Sequence, residues 1–343
     1  MPKKLTLNKL ARTAGVSAAT VSRIIAGNRS VDPAIRTRVL KTAQKLGMDL
    51  DDWRRGKPRI IAFLLSNRDA LQSFQARVLL GAQGYCALHK WEMLFTSFRY
   101  SPDTPPKALH FPQLLSGQTN AQAVILGGSN SPNLLAAFND RGIPFVVLGH
   151  SVTGDWKPET YDVAYTDDVS GAKEATLHLI AQGHQTVGFI GNTQFPWFKR
   201  CSIGYSHAMT DAGLKPNIVD IRSEGFQLGY LALKSLLSKS PRPSAIMVGT
   251  DQVAAGVYFA IREANLSVPA DISVFGFNDT QGEFMSPPLS SVREFPEELG
   301  RHMAEFVINR LRDPSIPPQH ITIPCQLIHR NSVAAPQNAN VTA

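Results

Sequence analysis

Within one seven-residue run, Ser17 to Arg23, the sequence sets short hydroxyl and methyl side chains beside a guanidinium: Ser17, Ala18, Ala19, Thr20, Ser22 and Arg23. Side chains of these types can read DNA. Small residues let a backbone sit deep in a major groove, alanine methyls can meet thymine methyls, and arginine reaches guanine O6 and N7 or a phosphate. Nearby, Thr6, Asn28 and Arg29 suit phosphate contacts that fix register without reading sequence.

The charge distribution agrees. Residues 1–58 hold 13 Lys or Arg against 4 Asp and no Glu, a net +9, whereas the remainder holds 22 basic and 23 acidic residues, a net −1. The whole excess lies in the first sixth of the chain. A small basic module on a neutral body is the footprint of a polyanion binder, with DNA or RNA first in line.

The elements that must position these residues are legible from their punctuation. Thr6 suits the N-cap of a helix carrying Leu7, Leu10, Ala11 and Ala14, which Gly15 ends. Ser17 caps a second helix with Val21, Ile24 and Ile25 inward, closed by Gly27. Asp32-Pro33 opens a third with Ile35, Val39, Ala43 and Leu46 as its apolar stripe, stopped by Gly47. Two short helices joined by a tight turn and followed by a third form a helix-turn-helix. The plainer alternative is a solvated three-helix bundle with surface arginines. Caps, spacing and charge together favour the DNA-binding reading.

On these residues the chain resembles the LacI/GalR family of bacterial transcriptional regulators. The signature Ala-x-x-Ala-Gly-Val-Ser-x-x-Thr-Val-Ser-Arg is matched by Ala11, Ala14 to Ser17 and Thr20 to Arg23. The resemblance implies that Ala18 and Ala19 occupy the positions that vary most with operator sequence, and that Arg23 contacts a base or the backbone.

From Arg59 the texture becomes alternating strand and helix. Apolar runs at "RIIAFLL", "EMLFTSF", "AVILGG", "PFVVLG", "TVGFIG", "AIMVG" and "ISVFGF" alternate with helix-like stretches such as Ser170 to Ala181, Ile203 to Ala212 and Gln252 to Ala264. That order predicts an α/β fold with parallel sheets, one before and one after roughly Asp162. The resemblance implies the same: a two-lobed periplasmic-binding-protein-like domain with a ligand cleft between its lobes. The expected layout is a helix-turn-helix domain over 1–47, a linker over 48–58, a two-lobed effector-binding and dimerisation domain over 59–333, and a disordered tail over 334–343.

Ligand chemistry is expected where loops follow the carboxyl ends of parallel strands. The candidates are Phe74, Ser129, His150, Trp197, Arg200, Phe226, Asp251 and Asn278: aromatic faces to stack on rings, polar groups to fix orientation. Phe74 and Phe226 could equally be core aromatics, His150 a loop residue, and Asp251 a helix cap. Several positions depart from the family pattern. Cys201 stands where a cleft arginine is usual, with Arg200 one residue earlier, and Asn278 and Gly149 replace aspartates. These changes leave room for an anionic ligand, a sugar acid or phosphate, held by Arg200 and His150. Calorimetry against neutral and anionic sugars separates the two classes.

An enzyme would need a nucleophile with a base, a metal cluster or a phosphate loop, and none is legible: there is no phosphate-binding Gly-rich motif and no His-x3-His pair. No metal site or cofactor is expected. Cys86, Cys201 and Cys325 are odd in number and scattered, as buried packing thiols would be. With no signal peptide or membrane span legible, a cytoplasmic location is expected. The reading is a DNA-binding regulator, most simply a repressor, that binds a near-palindromic operator as a homodimer under the control of a sugar or sugar derivative. The alternatives are an effector-independent regulator, or a solute-binding protein if the head were inactive.

The connector "GMDLDDWRRGKPRI" departs most from the family. It lacks the Pro-Asn and Ala-Arg-x-Leu of a hinge helix that wedges a leucine into the minor groove. Asp49, Asp51 and Asp52 would face phosphates at a cost. Arg54, Arg55 and Lys57 are expected to touch phosphates, and Trp53 to pack against the body or act as a substitute wedge.

Overall fold

The computed structural model describes residues 6–25, 31–48, 59–68, 71–116 and 121–337. Gly27, Asn28, Arg29, Trp53, Arg54, Arg55 and Lys57 lie outside these, so the expectations placed on them have no structural counterpart.

The first three helices form where their caps put them. Helix α1 (Leu7–Ala14) starts at Thr6, whose side chain accepts from the Lys9 N–H, and ends at Gly15 with φ of 64°, a left-handed conformation that a side chain would strain. Helix α2 is Ala18–Ile25. Helix α3 (Pro33–Lys45) starts at Asp32, which accepts from the N–H groups of Ala34 at 2.8 Å and Ile35 at 3.1 Å. Leu10, Val21, Ile24, Ile25, Val39 and Met48 are buried in one small core.

The rest of the chain builds two α/β units, each with its own six-stranded sheet. The first unit takes 1–164 and 297–321, the second 165–296 and 322–343. The chain therefore passes between units three times, where a single division near Asp162 was expected. The first sheet runs β11-β5-β4-β3-β1-β2. Its strands are β1 (Ile60–Ser66), β2 (Glu92–Phe98), β3 (Ala123–Gly128), β4 (Phe145–Leu148), β5 (Asp162–Thr166) and β11 (His320–Ile323). Strand β1 lies inside the sheet, with Phe63 paired to Phe95 on one side and Ile125 on the other, both in parallel. Every residue of β1 and β3 is buried, as expected of strands covered on both faces. Strand β2 lies at the sheet edge and leaves Leu94 and Phe95 exposed.

The second sheet runs β12-β10-β9-β8-β6-β7. It comprises β6 (Val187–Gly191), β7 (Asn217–Asp220), β8 (Ala245–Val248), β9 (Ser273–Asn278), β10 (Ser290–Arg293) and β12 (Gln326–Ile328). It is parallel except for β12, which is antiparallel to β10.

Helices α4 (Ser73–Leu88), α5 (Gln113–Ser116), α6 (Pro132–Asp140) and α11 (Pro296–Arg312) belong to the first unit. The second unit holds α7 (Asp168–Ala181), α8 (Pro196–Asp211), α9 (Gly225–Leu237) and α10 (Asp251–Glu263). Three helix pairs approach so closely that only glycine fits, one of them α7 and α8, where a Cβ on Gly204 would strike the Val169 carbonyl. A Cβ on Gly300 would strike the Val78 carbonyl, and one on Gly81 that of Glu297, where α11 crosses α4; Gly229 and Gly256 do the same for α9 and α10. The end of the chain also differs from expectation. Ala334, assigned to a disordered tail, donates its N–H to Ser273 Oγ at 3.1 Å, and its carbonyl meets His184 Nε2 at 3.0 Å.

Candidate functional site

On α2, Ala18, Ala19, Ser22 and Arg23 are exposed while Val21, Ile24 and Ile25 are buried, so one face of the helix is free and the other anchored. Ser17 fixes the start: its Oγ accepts from the Thr20 N–H at 3.0 Å and lies 2.8 Å from the Thr20 hydroxyl. Thr20 is thereby drawn into the cap and is half-buried. Thr6 is exposed at the start of α1. This arrangement suits a helix laid into a groove by its amino end, with a rigid apolar back.

In the first unit, the strand ends bring Phe74 and His150 together, ring centroids 5.5 Å apart in edge-on contact. His150 is buried in the turn after β4 and Phe74 is half-buried in the first turn of α4. Ser129 directly follows β3, its N–H donating to the Ser66 carbonyl at 2.7 Å. Beneath them runs a polar network absent from the sequence-based candidates. The Ser66 hydroxyl donates to Asn130 Oδ1 at 2.8 Å, and Asn130 Nδ2 donates to Ser151 Oγ at 3.0 Å. The Tyr100 hydroxyl lies 2.9 Å from Ser131 Oγ. A residue at a strand end such as Asn130 was legible as a loop polar group, but not its partners 64 and 21 positions away.

In the second unit, Trp197 stacks on Phe195 with centroids 4.6 Å apart, giving a partly exposed aromatic shelf at the start of α8. One turn on, Arg200 is committed to Asp168: its Nε and a terminal nitrogen each lie 2.6 Å from Asp168 Oδ1. The guanidinium also sits over the Tyr165 ring, 5.4 Å from its centroid. Burial pushes the Asp168 carboxyl up, with Arg200 opposing. The expected free cation for an anionic ligand is thus an ion-paired one.

Asp251 is fully buried and is not the helix cap; Thr250 caps α10 by accepting from the Val253 N–H. Asp251 instead ties the loop after β9, accepting from the Gln281 and Gly282 N–H groups at 3.0 Å and the Ser291 hydroxyl at 2.7 Å. Asn278 ends β9 with φ of 80° and accepts from the Thr280 hydroxyl. Its neighbour Asp279, not among the candidates, carries the charge there, paired with Arg293 and Arg330 at 2.6 Å each. Phe226 stands apart from the others. It is 48% exposed on α9, in a cluster with Tyr230 and with Phe259 of α10.

Among the described residues, no group of three or more His, Cys, Asp or Glu is arranged to hold a metal ion. No described helix is long and apolar enough to cross a membrane.

A helix-turn-helix head followed by a ligand-binding-type α/β body defines a class: regulators that bind DNA at one end and a small molecule at the other. The family model for bacterial regulatory proteins of the lacI family matches residues 6–48, and that for a periplasmic binding protein-like domain matches 176–333. The ribose operon repressor of Haemophilus influenzae is 27% identical over 321 residues, 90% of this chain and 93% of that one. A structure of the transcriptional regulator CelR in complex with cellobiose has a TM-score of 0.69 at 25% identity, covering 96% of this chain and all of the other. The lac repressor dimer bound to operator and the anti-inducer ONPF has the same fold, with a TM-score of 0.70 at 21% identity over 97% of this chain and all of that one. Its head matches the lacI-family model, and along nearly its whole length the chain is similar to regulators of that kind. It is a sequence-specific DNA-binding transcriptional regulator.

Proposed function

We propose that this regulator reads its operator with the exposed edge of α2, as a homodimer, and answers to a neutral sugar bound at the strand ends. Ser17, Ala18, Ala19, Thr20, Ser22 and Arg23 form the reading edge, and Thr6 a phosphate contact. The observation that carries the ligand class is the commitment of Arg200 to Asp168. Hydroxyl-bearing ligands can accept from a part-exposed, ion-paired guanidinium without displacing its carboxylate, and the Trp197 shelf offers the apolar face of a sugar ring a surface. Relatives named for a ribose operon and a cellobiose complex support the same class.

The homodimer reading rests on apolar side chains with no cover in a single chain. In the second unit these are Phe226, Leu231 and Phe259; in the first they are Leu80, Leu88, Leu94 and Phe95. Phe226 belongs to this surface in the proposal, not to the ligand site. Two copies place two α2 helices on the half-sites of a near-palindromic operator.

Calorimetry with pentoses, hexoses and disaccharides, set against uronic acids and sugar phosphates, tests the ligand class. Binding restricted to an anionic sugar overturns it. Anisotropy titration of labelled promoter DNA with and without the bound sugar, at fixed salt, then gives the coupling and its sign.

A further inference from the structure

At the point where each of its three passages enters or leaves the second unit, the chain contributes to one buried acidic cluster. Thr166 comes from the first passage, Glu294 from the second and Cys325 from the third. Glu294 is buried at the end of β10, just before Phe295 in a left-handed conformation with φ of 53°. Its Oε1 accepts from the Thr166 hydroxyl at 2.9 Å. No cation is paired with it among the ion pairs of the described residues, whereas Asp168 in the same cluster has Arg200. The groups whose charges bear on Glu294 are Asp168 of α7 and Asp251 of α10, both carboxylates, and the thiols of Cys201 on α8 and Cys325 lie within its field. Asp168 Oδ2 is buried and makes no hydrogen bond, so the cluster holds an acceptor that lacks a donor.

Two neighbouring buried carboxylates, only one of which holds a guanidinium, cannot both stay ionised cheaply. We propose that Glu294 is a proton-holding positioning residue: protonated at neutral pH, it leaves Asp168 to carry the single negative charge that fixes Arg200. Burial first, then the Asp168 charge, push the Glu294 carboxyl up to about 8, against the Thr166 hydrogen bond. Loss of this proton puts a second negative charge beside Asp168, the carboxylate that holds Arg200. A modest rise in pH then changes the charge balance around Asp168 and its ion pair with Arg200. The importance of Arg200 for ligand rests on the function proposed above; the proton on Glu294 does not.

The test therefore uses the full-length protein without ligand. Infrared difference spectra of wild type against Glu294→Gln at neutral pH should show a protonated-carboxyl band that the variant lacks, and that disappears as pH rises through about 8. The Arg200 Nε–H resonance should shift with the same midpoint in wild type and stay still in Glu294→Gln. Asp168→Asn removes the neighbouring charge and should move the midpoint down; Thr166→Val removes a hydrogen bond to the ionised form and should move it up. If the band is missing, or the Arg200 resonance ignores pH while the protein remains folded, the proposal is overturned. A failure of sugar binding alone would strike the ligand reading and leave these ligand-free signals untouched.

Discussion

Replacing Phe226 with alanine tests the homodimer through a side chain whose weight can be worked out from its surroundings. Phe226 keeps 48% of its surface exposed while stacking on Tyr230 and meeting the Phe259 ring edge-on at 5.6 Å. A phenylalanine has about 200 Å² to bury, so roughly 100 Å² remains for a partner to cover. At about 25 cal/mol per Å² that is about 2.5 kcal/mol. A twofold interface counts each position twice, so the substitution removes about 5 kcal/mol, a weakening of dimerisation by more than a thousandfold. Sedimentation equilibrium over a range of concentrations should show dimer for wild type and monomer for the variant at low micromolar protein. The monomer should remain folded, because the lost surface is largely outside the core cluster. Binding to a full palindrome should fall towards that of a half-site. If Phe226→Ala and Phe259→Ala together leave the dissociation constant unchanged, this surface is not the interface, and the exposed edge of β2 becomes the one to test.

Arg23→Ala should weaken operator binding by about 1–3 kcal/mol and relax specificity at one base position, read by anisotropy against single-base operator variants. Gly300→Ala drives a Cβ into the Val78 carbonyl where α11 crosses α4, and should cost about 1–3 kcal/mol in denaturant unfolding without touching the DNA-reading face. Trp197→Ala removes the stacked shelf and should lower sugar affinity by at least tenfold in calorimetry while leaving DNA binding in place. His184 is held neutral by burial, its pKa lowered, between Ser244 and the Ala334 carbonyl. A depressed folded-state pKa means the unfolded chain takes up the proton first. Stability from this group is therefore whole above the ordinary histidine range and declines as pH falls below it. Amide exchange in residues 332–337 should speed up on acidification, and His184→Asn should flatten that dependence.

The parts legible in the sequence were those set by local pattern. Unbroken apolar runs gave β1, β3, β4, β6, β8 and β9 because strands covered on both faces need no polar alternation. Thr6, Ser17, Gly15 and Asp32-Pro33 gave the head because caps act within three residues of themselves. The strands that escaped, such as β7, β11 and β12, are three or four residues long and partly exposed, so they carry little periodic signal. The partners of candidate residues were illegible where they are remote. Arg200 finds Asp168 32 positions away, and Asp251 is occupied by a loop 30 positions on. The pair "DD" at 167–168, directly before a helix, was the one available signal for Asp168, and it reads equally as an N-cap; Asp167 is that cap, accepting from the Ser170 N–H.

The charge arrangement of the second unit bears on which ligand can act as the signal. Arg200, Arg293 and Arg330 all stand near its strand ends, and each is paired with an aspartate that is 2% exposed. An anionic ligand using any of them must either share a guanidinium with a buried carboxylate or leave that carboxylate uncompensated. The second course costs about 3–5 kcal/mol, as much as a good ligand ion pair returns. A neutral polyol meets no such penalty, because its hydroxyls can accept from the part-exposed guanidinium groups without drawing them off their aspartates. Its influence on DNA need only equal the difference in its affinity for the DNA-bound and free states, and a few well-placed hydroxyls supply the 1–3 kcal/mol of a typical coupling. On the proposed reading, the pairing that penalises an anion leaves a neutral sugar free to act.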